Sequence, residues 1–363
     1  MKIVHFTSLA NDKASGVANI VPLHIINQSK IEDVYWCNIS ENYIPPNGCT
    51  EIYKYLKNFD ENTFSTLPPI FRHPDLVVFH EVYYYKFIRI GKILNHLKIP
   101  YIIVPHGCLT KTSREKKFLK KFLALNFIFN EFIEKASAIQ YLTHGELETS
   151  KNKWNEKYII IPNGCFIPNF KKAEFNDHVF TGVYIGRKSI YYKGLDLLLE
   201  ACSNIKSHPK FHKLKIEIYG SDDNNSNIKL ESLIKKYKLE ETVKVYDAIY
   251  DKEKEQKLLD SDFFILTSRS EGHPVALIEA LSYGLPCLVT EATNMGKEIL
   301  NFNAGWVAQS NSKSIESALI ALLNSEKQLF CKGAEARNLS TMYEWGKITK
   351  ESIGKYKEIV KIN

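Results

Sequence analysis

Short apolar runs rich in β-branched and aromatic residues alternate along this chain with longer stretches whose apolar positions recur at helical spacing. That alternation predicts strands joined by crossover helices, and hence parallel α/β layers. In the first half the strand candidates are Lys2–Ser8, Asp33–Ile39, Leu76–Glu81, Tyr101–His106, Ala138–Leu142 and Tyr158–Ile161. In the second half they are Val179–Gly186, Lys215–Gly220, Val243–Tyr246, Phe263–Ser268 and Cys287–Thr290. The 363 residues exceed what one hydrophobic core usually organises. The turn signals of Pro162-Asn163-Gly164 and Pro168-Asn169, followed by polar residues, predict a linker between two doubly wound units. Ligands of such sheets bind beyond the carboxyl ends of the strands. Loops after strands are therefore the functional candidates, and strand interiors are assigned to packing. Two domains facing each other would set those loops across a central cleft.

The most specific loop runs from Ser268 through Arg269-Ser270-Glu271-Gly272-His273-Pro274 into Val275-Ala276-Leu277-Ile278-Glu279. It follows an apolar strand. Pro274 suits a first helical turn, and Gly284 and Pro286 end the helix. A helix N-terminus offers free N–H groups and a partial positive charge to an anion. Glu271 would stand before that terminus and Glu279 on the helix, so the pair could hold hydroxyls at two places along one ligand. Equally, Glu271 could cap the helix and Glu279 be a solvated glutamate. A second loop, Gly186-Arg187-Lys188-Ser189-Ile190-Tyr191-Tyr192-Lys193-Gly194-Leu195-Asp196, follows another strand. Gly186 permits a tight turn. Arg187 and Lys193 supply fixed cations of the kind a departing diphosphate requires, or else are two solvated surface charges.

Together these segments resemble the E-x7-E motif and the G-R…K-G-x-D signature of retaining GT-B glycosyltransferases, the group 1 type found in bacterial capsule and O-antigen synthesis. The resemblance implies an α/β GT-B fold: a Rossmann-like acceptor-side domain at 1–164, a nucleotide-sugar-binding Rossmann-like domain at 165–345, and a C-terminal helix, 346–363, returning to the first domain. It implies that Glu271 binds hydroxyls of the donor sugar and Glu279 those of the ribose, with Gly16, Gly186, Gly272, His273 and Leu277 also at the donor. His106, Arg187, Lys193 and Glu271 would serve the reacting centre. His106 ends a first-half strand as Pro105-His106-Gly107, and an isolated histidine there can also be structural. Ser15-Gly16-Val17 matches the family's N-terminal glycine loop, and Gly284-Leu285-Pro286, Thr293-Asn294-Met295-Gly296 and Glu298 also fit. The chain departs from the family at His273-Pro274, at Ser221-Asp222-Asp223 and at Asp247, where glycines are common, so the resemblance does not identify the base.

The implied activity is transfer of a sugar from a nucleoside diphosphate sugar, UDP or GDP being the expected nucleotide, to a hydroxyl of a glycan that is itself carried on lipid. A GT-B sugar-nucleotide epimerase and a non-catalytic lipid-surface binding protein are the alternatives. No cofactor and no metal are expected. Asp260-Ser261-Asp262 matches a D-x-D metal motif only literally, since it lies at the amino end of a predicted strand. The segment 111–133 carries apolar residues at 118, 122, 125, 129 and 132 and clustered cations near its start. It is either a core-packed helix with a basic end or an interfacial helix drawn to anionic lipid.

Composition narrows the classes little. Hydrophobic residues make up 44% and charged residues 25%, an ordinary globular balance. A net charge of +7 favours phosphate-rich partners or anionic membrane without choosing between them. No aromatic-interleaved basic motif points to nucleic acid. Seven cysteines without a C-x-x-C pair argue against a disulfide framework or structural zinc. The apolar start is too short for a signal peptide, and no run approaches the ~20 residues of a spanning helix. A cytoplasmic protein is expected, peripheral at most on the inner face of the membrane.

Overall fold

A computed structural model describes residues 1–57, 60, 62–115, 118–150, 155–172, 174–175 and 179–362. The chain forms two units, Met1–Gly164 with Trp345–Asn363, and Cys165–Glu344.

The first unit holds β1 (Lys2–Thr7), β2 (Asp33–Asn38), β3 (Tyr53–Tyr55), β4 (Leu76–His80), β5 (Tyr101–Val104), β6 (Ala138–Tyr141) and β7 (Tyr158–Ile160). They lie in the order β3-β2-β1-β4-β5-β6-β7 and pair in parallel. The central strands are buried along nearly their whole length because crossover helices cover both faces. The order reverses between β1 and β4, which opens a crevice beyond their carboxyl ends. The helix Gly16–Ser29 begins at that end of β1, capped by Ser15, whose hydroxyl accepts from the Ala18 N–H at 3.3 Å. The last helix, Trp345–Ile362, packs against it. The Tyr356 hydroxyl donates to Gln140 Oε1 at 2.7 Å, which ties this helix to β6.

The second unit holds β8 (Phe180–Ile185), β9 (Leu214–Tyr219), β10 (Val243–Tyr246), β11 (Phe263–Leu266), β12 (Cys287–Thr290) and β13 (Gly305–Ala308). Their order is β10-β9-β8-β11-β12-β13, again parallel, with the reversal between β8 and β11.

Two sequence expectations are corrected here. The edge strands β3 and β13 carry no strand signal in the pattern, and both occur. The segment 111–133 is not one continuous helix. It forms helices Lys111–Glu115 and Phe118–Leu123, a π-helical turn Ala124–Ile128 and a helix Asn130–Glu134, with Lys116 and Lys117 outside the described residues. A π turn holds one residue more than an α turn, so the apolar stripe slips in phase across it. Leu125, Phe129 and Phe132 enter the core, whereas Leu119, Phe122, Leu123 and Phe127 face outward, Phe127 at 74% exposure.

Candidate functional site

The reversal between β8 and β11 places the two signature loops side by side, and their contacts show why these residues are needed. Gly194 has φ +62, and a Cβ there would stand 1.9 Å from the Thr267 carbonyl oxygen. Only glycine lets this loop lie against the end of β11. The Thr267 hydroxyl donates to the Gly194 carbonyl at 3.0 Å, and the Arg269 N–H donates to the Tyr192 carbonyl at 2.8 Å. Arg269 also clamps Asp196 with two bonds of 2.7 Å. So fixed, the loop delivers Lys193 Nζ to Glu271 Oε1 at 2.6 Å. The Ser268 hydroxyl donates to the same oxygen at 2.6 Å, and Asn294 Nδ2 holds the Glu271 carbonyl at 2.5 Å. The two predicted residues of opposite charge are therefore brought together, as a half-buried pair with side chains 22% and 13% exposed.

Arg187 is exposed and makes no ion pair among the described residues; its carbonyl accepts from the Tyr184 hydroxyl at 2.7 Å. The Gly186 N–H donates to the Tyr219 carbonyl at 3.0 Å. Lys188, which the sequence did not single out, is fully buried and donates to the Tyr246 carbonyl at 2.8 Å. Burial holds its pKa below the ordinary lysine value, opposed by the charges of Asp247 and Asp222. Asp222 and Asp247 stand where the glycines common in the family are absent.

Pro274 caps the helix Val275–Ser282, and the N–H groups of Val275 and Ala276 have no acceptor among the described residues. The Leu277 N–H donates to the Pro274 carbonyl at 3.1 Å, and the Leu277 side chain is wholly in the core. Leu277 thus packs the helix into the core of the second unit. His273 is buried too, its ring 5.0 Å from that of Tyr343. Gly272 gives its carbonyl to Asn294 Nδ2 at 3.2 Å. Glu279 is held by Lys254, whose Nζ lies 3.0 Å from both carboxylate oxygens. Asp262 accepts from the Thr181 N–H at 2.9 Å and pairs with Lys172 at 3.4 Å, a structural role at the amino end of β11. Among the described residues no cluster of His, Cys, Asp and Glu is arranged to hold a metal.

In the first unit Gly16 opens the helix after β1, with open space where a Cβ would stand. His106 follows β5 with φ +50, a left-handed conformation unusual for a residue with a side chain. The adjacent Gly107 N–H donates to Glu146 Oε1 at 2.5 Å, and the Leu142 N–H donates to Oε2 at 2.7 Å. Burial pushes the Glu146 carboxyl up to about 7 against these two bonds. His106 Nε2 lies 3.0 Å from His80 Nδ1, and His80 Nε2 lies 3.0 Å from His5 Nδ1. No local pattern marks this row, because His5 and His80 sit singly inside strands.

The two signature loops of the second unit fall within a match to a known family. Residues 167–338 match the family model described as Glycosyl transferases group 1. Lys193, Glu271 and Glu279 lie inside the match. An uncharacterised glycosyltransferase of Methanocaldococcus jannaschii is 21% identical over 345 residues, covering 90% of this chain and 87% of that protein. The amylovoran biosynthesis glycosyltransferase AmsK of Erwinia amylovora is 29% identical over 141 residues, 37% of this chain and 34% of that one. Anabaena HepE, solved with UDP and glucose, is 15% identical and covers 99% of this chain and 100% of its own, with a TM-score of 0.73. That likeness shows the fold, GT-B with two parallel-sheet Rossmann-like domains.

Proposed function

We propose that the protein is a retaining, metal-independent glycosyltransferase that moves a sugar from a nucleoside diphosphate sugar to a hydroxyl of a lipid-linked glycan in bacterial surface polysaccharide synthesis. The observation that carries this reading is the Lys193–Glu271 pair held at the reversal between β8 and β11, beside the free N–H groups of Val275 and Ala276. A donor would engage the pair, its diphosphate on Lys193, Arg187 and the helix N-terminus and its sugar hydroxyls on Glu271. Glu279 would exchange Lys254 for ribose hydroxyls, and His106 would accept a hydrogen bond from the reacting sugar. In the transfer the bond from the anomeric carbon to the diphosphate oxygen breaks, and the acceptor oxygen bonds to the same face. Its proton passes to the departing phosphate. UDP is the preferred nucleotide, given the UDP complex of the fold neighbour.

The lipid-linked acceptor draws support from the outward face of Leu119, Phe122, Leu123 and Phe127, beside Lys120 and Lys121. Apolar side chains next to cations suit the boundary of an anionic bilayer, from which a peripheral enzyme would work on the inner face. Among the described residues no helix is long and apolar enough to cross a membrane. The test is transfer from UDP- and GDP-sugars to a lipid-linked glycan in EDTA, with the anomeric configuration of the product read by NMR. A lengthened glycan of the donor's configuration supports the reading. Inversion, or interconversion of the donor sugar without transfer, would replace it with another.

A further inference from the structure

A row of hydrogen bonds runs from the last helix of the first unit to His106, and its direction can be worked out from one end. The Ser352 hydroxyl lies 2.9 Å from the Thr349 carbonyl, which can only accept, so the serine proton is used there. Ser352 Oγ must then accept from Gln28 Nε2 at 3.1 Å. Gln28 Oε1 consequently faces His5 Nε2 at 2.9 Å and accepts from it.

Burial keeps His5, His80 and His106 uncharged by holding each pKa below the ordinary histidine value. A neutral imidazole carries one proton. With it on Nε2 of His5, Nδ1 must accept from His80 Nε2; in turn His80 Nδ1 must accept from His106 Nε2. His106 Nδ1 is left as a lone pair, with no hydrogen-bond partner among the described residues.

We propose that Gln28, His5 and His80 are positioning residues that hold His106 in its Nε2–H tautomer, so that Nδ1 is presented as an acceptor to a hydroxyl of the bound sugar. The tautomer stands on the first unit alone, and only its use by a sugar rests on the proposed function. A hydroxyl donating to Nδ1 leaves its own oxygen free to accept, whereas the opposite tautomer would demand an acceptor from the ligand.

The test is long-range 1H–15N NMR of protein labelled at histidine, at a pH above 7, for wild type, Gln28→Leu and Gln28→Glu. His106 is expected to carry its proton on Nε2 in wild type. Gln28→Glu, which keeps an acceptor facing His5, should retain that state, and Gln28→Leu should give a mixture of tautomers. Proton on Nδ1 of wild-type His106, or an unmixed Nε2–H state in Gln28→Leu, would overturn the proposal. The wild-type measurement needs no variant, so it decides the matter even if Gln28→Leu fails to fold. In turnover, Gln28→Leu should lower kcat about tenfold with diphosphate affinity unchanged. Wild-type protein that binds no diphosphate yet shows the expected tautomer would defeat the transferase reading and leave the relay intact.

Discussion

Replacing Lys193 by alanine separates its observed pairing with Glu271 from its proposed contact with the departing diphosphate. Its Nζ lies 2.6 Å from Glu271 Oε1, in a pair with side chains 22% and 13% exposed. Exposed pairs contribute about 0–1 kcal/mol to stability, while breaking a fully buried pair costs about 3–5 kcal/mol. This pair lies between those limits, and Glu271 would still accept from Ser268. The loss in stability should thus be about 1–2 kcal/mol. Turnover should suffer more. Removing one preplaced group that stabilises charge developing in the transition state lowers kcat about 10²–10³-fold, roughly 2.7–4 kcal/mol of barrier. Urea unfolding measures the first quantity, and steady-state transfer at saturating donor measures the second. Lys193→Arg keeps the charge and should recover part of the rate. A Lys193→Ala enzyme that is destabilised as expected but turns over within about threefold of wild type would refute the leaving-group role and leave Lys193 a structural partner of Glu271.

Three further outcomes follow from particular contacts. Gly194→Ala puts a Cβ against the Thr267 carbonyl in a left-handed conformation, so stability should drop by more than the ~1–2 kcal/mol of the conformation alone, with activity lost as Lys193 moves. A stable, active variant would contradict the fit of that loop. Acid should weaken the first unit. His5, His24, His80 and His106 all have folded-state pKa values below 6.5, His24 at about 4, mainly through burial. Below pH 6.5 the unfolded chain therefore binds more protons than the native one, and stability falls as pH drops toward 4. Glu146, raised to about 7, and Glu81, raised above 4.5 by burial, act with the opposite sign, but they are two groups against four. A urea midpoint that does not fall between about pH 7 and pH 5 would contradict the neutral histidine row. Finally, Phe122→Ser with Phe127→Ser should reduce co-sedimentation with anionic vesicles while leaving the unfolding midpoint near wild type. Unchanged binding would remove the support for membrane contact.

The strands were legible because both sheets are parallel and buried, so their sequences read as continuous apolar runs. Where that physics weakens, so does the reading. β3 is a three-residue, half-buried edge strand, and β13 is an edge strand opening on Gly305, where a Cβ would stand 1.9 Å from the Cys287 carbonyl oxygen. The apolar stripe of 111–133 assumed an unbroken 3.6-residue period, which the π turn at Ala124–Ile128 violates. In the candidate site, the residue types and their place after strands were readable. Their pairing was not, since Lys193 and Glu271 are 78 residues apart and meet only through the strand reversal. Lys254, Lys188 and Arg269 carry no local signal, because a single cation on a helix or loop looks solvated until its partner is seen. Leu277, inside the same motif, has its side chain wholly in the core, which the motif alone does not reveal.

The central claim is that the second unit grips a nucleoside diphosphate through Lys193, the helix beginning at Val275, and Glu279. Thermal unfolding with UDP, GDP, ADP, CMP and dTDP in EDTA tests it most directly, on wild type and Glu279→Ala. A diphosphate at a hundred times its Kd should add about 2.7 kcal/mol to the unit that binds it, a rise of roughly 5–10 °C. The account predicts that rise with one diphosphate, UDP first, and its loss in Glu279→Ala. No shift with any diphosphate in the wild-type protein, or an equal shift in Glu279→Ala, would contradict it.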